Sequence, residues 1–221
     1  MEWSEARLLD ALAYLEGSFG CLCLAMLPRL GSPYGRYSDR WPGPRVPARA
    51  AWLLQELPSL VWPLHECART SAARLGCRPN CVLLAMFLVH YIQRTLVFPF
   101  LIRGGKPTPL LSFVLAFAFC NYNGYLQSRY LSNFAMYAED WVTHPCFLTG
   151  GLFEYISAAN YFGEITEWGG FALASWSLQS GAFAFFTFCI LVTRAKQHHQ
   201  WYHEKFEDYP KLRKILIPFL Y

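Results

Sequence analysis

A glutamate, a tyrosine and an arginine stand inside two of the most apolar stretches of this 221-residue chain. A charged side chain at mid-membrane costs at least about 2.5 to 3.5 kcal/mol on insertion scales, so such residues need partners or a function. Glu56 sits in "WLLQELPSLVW", two residues before Pro58. Proline frees backbone polar groups and opens a kink beside the carboxylate. His90, Tyr91 and Arg94 interrupt "LVHYIQRTLVF", and the three-residue step places Tyr91 and Arg94 on one helix face. A tyrosine donates to a carbonyl, whereas an arginine grips phosphate or pairs with a glutamate. For Arg94, an ion pair that only holds the bundle together is as good a reading as a ligand contact.

A second set lies near the C-terminus. In "AANYFGEITEWGG" the residues Asn160, Glu164 and Trp168 recur every four positions and share a face, with Glu167 beside the stripe. Taken alone, Trp168 also fits an anchor at the membrane interface. Further on, Arg194, His198 and Tyr202 recur at the same spacing and line up a cation, an imidazole and a phenol. Such a row suits a phosphorylated ligand; its plainer reading is a solvated helix face gripping lipid phosphates.

Other chemistries find no support. "IRGGKP" is neither a Walker loop nor a dinucleotide-binding glycine pattern, so any cofactor must be held by the helices themselves. The chain lacks a nucleophile elbow and a metal-ligand helix. Its eight cysteines show no paired metal-ligand spacing and read as small core residues, and no metal is expected. The net charge of +4 is spread over loops and the C-terminal end rather than gathered in a nucleic-acid-sized patch.

The elements that must position these residues can be read from composition. The chain is 54% hydrophobic, 18% aromatic and 15% charged, with a mean hydropathy of +0.20, too apolar for an ordinary soluble domain. Its apolar residues gather into six blocks, at 8–27, 50–64, 81–101, 109–126, 151–176 and 178–192. Runs such as "LLSFVLAFAFC" do not alternate, which predicts helices rather than a β-barrel. We therefore expect an all-α, polytopic transmembrane bundle with six recognisable spans, forming one domain over 1–221. The N-terminus lacks a basic n-region and carries Asp10 and Glu16 within its apolar stretch, unlike a cleaved signal peptide.

Arginines at 29, 36, 40, 45 and 49 mark the loop after the first block as cytosolic, and Arg194, Lys196, Lys205, Lys211, Arg213 and Lys214 do the same for a tail over 194–221. Two cytosolic regions must be separated by an even number of crossings, yet five blocks lie between them. The count is short by one.

Taken together, the motifs resemble the steroid 5α-reductase family. The likeness runs from "RVPARAAWLLQELPSL" through "NCVLLAMFLVHYIQR", "FLIRGGKPTPLL", "NGYLQSRYLS" and "YAEDWVTHP" to "GGLFEYISAANYFGEITEW" and "RAKQHHQWYHEKFEDYPKLRK". It implies a multi-pass enzyme of the endoplasmic-reticulum membrane, recovered in microsomes, with seven helices. Such an enzyme uses NADPH to reduce the 4,5 double bond of 3-oxo-Δ4 steroids such as testosterone and progesterone. By the same resemblance Glu56 and Tyr91 polarise the steroid C3 carbonyl. Arg103, Asn160, Glu164, Arg194, His198 and Tyr202 line the cofactor site, with Arg94 and Trp168 in support.

The likeness breaks between Thr149 and Gly151, where "HPCFLTGGLFEY" joins stretches that family members separate by roughly forty residues, enough for one helix and its loops. Restoring that helix would mend the crossing count. The loss suggests a catalytically inactive short form as one alternative, and a related polyprenol or enone reductase as another. A transporter is disfavoured, since the chain shows neither repeated halves nor paired broken helices.

Overall fold

A computed structural model describes residues 4–31, 42–70, 78–137, 159–206 and 214–217. Helix α1 covers Glu5–Leu30, α2 Ala48–Arg69 and α3 Arg78–Ile92. A π-helical turn, Gln93–Val97, leads from α3 into the short α4, Phe98–Leu101. Then come α5, Leu110–Asn133, α6, Ala159–Ser175, and α7, Leu178–Lys205. The architecture is the expected helical one, with a two-residue ladder in addition: Arg45–Val46 (β1) pairs antiparallel with Thr108–Pro109 (β2).

Every apolar block yields a helix. Among the described residues, Glu5–Leu30, Pro79–Leu101 and Leu178–Lys205 are long and apolar enough to cross a membrane. The other three blocks of the six-span expectation do not meet that length and composition among the described residues. Helices α2 and α5 carry buried polar residues such as Gln55, Glu56, Glu66, Asn123 and Gln127. Helix α6 is described over 17 residues, from Ala159. The last helix also runs beyond its block, so Arg194 to Lys205, expected in a tail, continue α7. The junction between Thr149 and Gly151 lies outside the described residues.

The chain divides into two compact units, one of residues 1–9 and 32–144, the other of 10–31 and 145–221. In the first, α2 and α5 run parallel. Ser59 Oγ donates to the Cys120 carbonyl at 2.9 Å, Trp62 Nε1 to Asn121 Oδ1 at 2.9 Å and Arg129 Nη1 to Glu66 Oε2 at 3.0 Å. Gly124 permits this approach: a Cβ there would meet Ser59 Cα at 3.0 Å and the Pro58 carbonyl oxygen at 3.1 Å. Helix α3 runs the opposite way, with Asn80 Nδ2 donating to the carbonyls of Leu131 and Ala135 at 2.6 and 3.1 Å. The β1–β2 ladder ties the starts of α2 and α5 together, and the Leu110 amide donates to the Pro44 carbonyl at 2.9 Å. At the other ends of these helices Arg129 also grips Glu5 through Nε and Nη2, at 2.7 and 2.8 Å.

In the second unit α6 and α7 form a hairpin that turns at Trp176, whose φ of 41° is the one positive value outside glycine among the described residues. Ser177 caps α7 by accepting from the Ser180 amide at 3.2 Å. The α1 stretch of this unit runs parallel to α7: Gln179 Nε2 donates to Asp10 Oδ1 at 2.8 Å, and Gln197 Nε2 to the Leu27 carbonyl at 3.3 Å. Between them a Cβ on Gly20 would meet Phe186 Cα at 3.1 Å, so the glycine is what lets the helices close up. This parallel run puts Arg29 at the same end of the unit as Arg194 to Lys205.

Candidate active site

In the first unit the structure brings Glu56 and Arg94 together. Arg94 Nε donates to Glu56 Oε2 at 3.1 Å and Nη2 to Oε1 at 3.0 Å, a two-pronged grip across α2 and the π-helical turn. A π turn inserts one residue into the helix and changes the facing of its side chains, which aims Arg94 at the partner helix. The guanidinium also lies over the Trp52 ring, 4.8 Å from its centroid, and Trp52 meets Phe98 edge-on at 5.0 Å. Glu56 is 6% exposed, so its carboxylate is desolvated and its two hydrogen bonds to Arg94 offset that cost.

Tyr91 is 5% exposed and packs against Phe87, with ring centroids 4.7 Å apart. Its phenol lies near Ser59, Glu56, Arg94 and Cys120. Tyr91 therefore belongs to the same cluster as the Glu56–Arg94 pair. Reading by residue type found that pair and missed Ser59, for which the one available signal was its helical three-residue step from Glu56. Arg103 lies exposed in the segment between α4 and β2.

In the second unit the row on α7 stands as the spacing predicts. His198 and Tyr202 have ring centroids 6.4 Å apart, and the Arg194 guanidinium carbon lies 5.4 Å from the centroid of the Tyr161 ring. Tyr161 is the residue that joins α6 to this row, through a hydrogen bond of 3.1 Å between its hydroxyl and His198 Nε2. The sequence stripe missed it by one position, since helix rotation turns Asn160 outward and Tyr161 inward: Asn160 is exposed, Glu164 half-buried and Tyr161 buried. Trp168 is a core residue rather than an interfacial anchor, packed against Phe171 and Phe183 with centroids at 5.6 and 4.5 Å.

A guanidinium, an imidazole and two phenols at one end of a hairpin form a donor set suited to a phosphorylated or amide-bearing cofactor. Among the described residues no group of three or more histidines, cysteines and carboxylates converges as a metal site would. Of the six described cysteines only Cys120 and Cys189 are buried, so the core reading holds for those two.

Comparison with known proteins identifies the chain's relatives. The family model described as 3-oxo-5-alpha-steroid 4-dehydrogenase matches residues 106–151 and 148–221, two stretches that meet where the sequence expects its excision. The chain is 63% identical over 254 residues to 3-oxo-5-alpha-steroid 4-dehydrogenase 1 of Rattus norvegicus, covering 100% of this chain and 98% of the relative. To its counterpart of Homo sapiens it is 55% identical over 252 residues, covering 99% and 97%. To 3-oxo-5-alpha-steroid 4-dehydrogenase 2 of Homo sapiens it is 41% identical over 234 residues, covering 90% and 91%. The longer alignments exceed the chain's own 221 residues, as an internal gap requires. These relatives favour the steroid reading over a polyprenol reductase, and they lend no support to the inactive short form.

Proposed function

We propose, because this chain belongs to the 3-oxo-5-alpha-steroid 4-dehydrogenase family, that it uses NADPH to reduce the 4,5 double bond of 3-oxo-Δ4 steroids. Testosterone and progesterone are the substrates the resemblance names. That family makes the chain an enzyme and a membrane protein; the endoplasmic reticulum is the compartment we assign to it.

The observation that carries the reading is the Glu56–Arg94 pair beside the buried Tyr91 phenol. As C5 of the enone accepts hydride, negative charge gathers on the C3 oxygen as an enolate. A fixed donor in a water-poor pocket stabilises that oxygen better than solvent does. Both oxygens of Glu56 accept from Arg94, which holds the carboxylate in place. Tyr91 is then the donor to the C3 oxygen, and Glu56 orients the cluster.

We assign Arg194, His198 and Tyr202 to hold the cofactor, together with Asn160 and Glu164 on α6 and Arg103. When bound, the reduced nicotinamide supplies the hydride for C5. The side chains on α7 contribute charge, hydrogen bonds and a fixed position for its phosphates.

The test is conversion of radiolabelled testosterone by microsomes that express this chain, with blotting to confirm its presence, beside a chain carrying a family-type segment after Thr149. We expect 5α-reduced product from both with NADPH, and much less with NADH. Product from the restored chain alone would overturn the reading for this one.

A further inference from the structure

In the second unit the C-terminal stretch 214–217 packs onto the hairpin of α6 and α7. Leu216 is 1% exposed there. It shares one apolar cluster with Tyr161 of α6 and with Leu191 and Ala195 of α7, and its neighbours Ile215 and Ile217 pack against the same cluster. The stretch belongs to no helix, so apolar burial rather than a helical ladder is what seats it, and Leu216 is its fully buried anchor.

The same cluster reaches the row on α7 through Tyr161. The His198 imidazole meets the Tyr161 ring edge-on with centroids 5.3 Å apart, and the two side chains are hydrogen-bonded at 3.1 Å. The Arg194 guanidinium lies over the same ring, and Ala195, the residue after Arg194, is fully buried in the cluster. The last torsion of a tyrosine has a broad minimum, so what packs on the ring sets its tilt. That tilt places both the hydroxyl and the face on which the guanidinium rests.

Building on the assignment of Arg194, His198 and Tyr202 to the cofactor, we propose that Leu216 is a positioning residue for that row. It wedges the Tyr161 ring in the tilt that holds Arg194 and His198 ready for a phosphorylated ligand. A side chain buried this deeply has no surface of its own to offer a ligand, so it acts through Tyr161. The C-terminal stretch thereby sets cofactor affinity.

The test measures equilibrium binding of NADPH, binding of tritiated testosterone and Tm for the full chain in detergent. Leu216→Ala opens a cavity beside the ring and should raise the Kd for NADPH about tenfold, with testosterone binding held within about twofold. Leu216→Val, a smaller deletion, should move the Kd the same way by about threefold and gives the reading if the alanine variant does not fold. Leu216→Met, close in volume, should recover most of the affinity. Leu131→Ala removes an equally buried leucine from the first unit; it should lower the Tm and leave the Kd for NADPH within about twofold. In a Tyr161→Leu background Leu216→Ala should add less than about twofold, because the ring it seats is gone. An unchanged Kd in Leu216→Ala and Leu216→Val, an equal loss in the Tyr161→Leu background, or a Kd raised as much by Leu131→Ala would overturn the proposal. Failure of the underlying assignment looks different: Arg194→Met would leave the Kd for NADPH unchanged.

Discussion

The two units treat buried charge in opposite ways. In the first, a cation meets a carboxylate through two hydrogen bonds and is roofed by an indole, so its charge is answered within the protein. In the second, a buried arginine lies over a phenol ring whose hydroxyl in turn bonds a histidine. The first arrangement is that of a machine part whose geometry must not change when a neutral steroid arrives. The second gathers hydrogen-bond donors of a kind that suits an anionic ligand. If this contrast is right, breaking the first should damage the protein, and breaking the second should damage cofactor affinity.

The largest effect is expected from Arg94→Leu. It leaves Glu56 buried without its partner, a change that costs about 3 to 5 kcal/mol when a buried pair is broken from one side. Turnover should be lost together with thermal stability in detergent, measured as a drop in Tm. An Arg94→Leu chain that kept its Tm and lost only rate would show that the pair is functional rather than structural, and would bring the two units closer in character.

Arg194→Met should act on the other half of the contrast. One charge-assisted hydrogen bond to a phosphate is worth about 1.5 to 3 kcal/mol, so KM for NADPH should rise about 10- to 100-fold. The Tm should fall far less than in Arg94→Leu. A large fall in Tm with an unchanged KM would mean that Arg194 is a lattice residue of the hairpin and would dissolve the contrast.

Much of this was legible in the sequence, and the reasons for what was not are local. Glu56, Tyr91 and Arg94 announce themselves because ionisable and phenolic groups in apolar helices are rare. Ser59 does not, since serine is small and common in such helices, and its bond to the Cys120 carbonyl depends on how closely α5 comes at Gly124. The β1–β2 ladder is two residues long and has no period to read. Tyr161 was missed because a stripe drawn at every fourth residue drifts against a helix of 3.6 residues per turn, so the true inward residue sat beside the predicted one. The clamp of Arg129 on Glu5 and Glu66 joins residues more than sixty positions apart and leaves no local trace.

Gly124→Ala sharpens the comparison from the side of packing. The added Cβ would press on the Ser59 backbone, the Pro58 carbonyl and Trp62 at 3.0 to 3.2 Å, and backbone cannot swing aside as a flexible side chain can. Overpacking of this kind costs about 1 to 3 kcal/mol. Because the strain falls on the helix that carries Glu56 and Ser59, kcat for testosterone should fall with the Tm, while KM for NADPH should stay near its starting value. A matching substitution in the second unit, Gly20→Ala, presses on Phe186 instead and should lower the Tm with no such bias toward the steroid step.

The smallest effect should come from Tyr161→Phe. It removes one hydroxyl and its bond to His198 and retains the ring beneath Arg194. A neutral hydrogen bond contributes about 0.5 to 1.5 kcal/mol, so KM for NADPH should rise about 2- to 10-fold with kcat nearly unchanged. The ring matters separately: Tyr161→Leu would also remove the face on which the guanidinium rests, and should add to that loss. If Tyr161→Phe left KM for NADPH untouched while Tyr161→Leu raised it, the phenol would serve as a platform for Arg194 rather than as an anchor for His198. The row on α7 would then hold its ligand through the arginine alone.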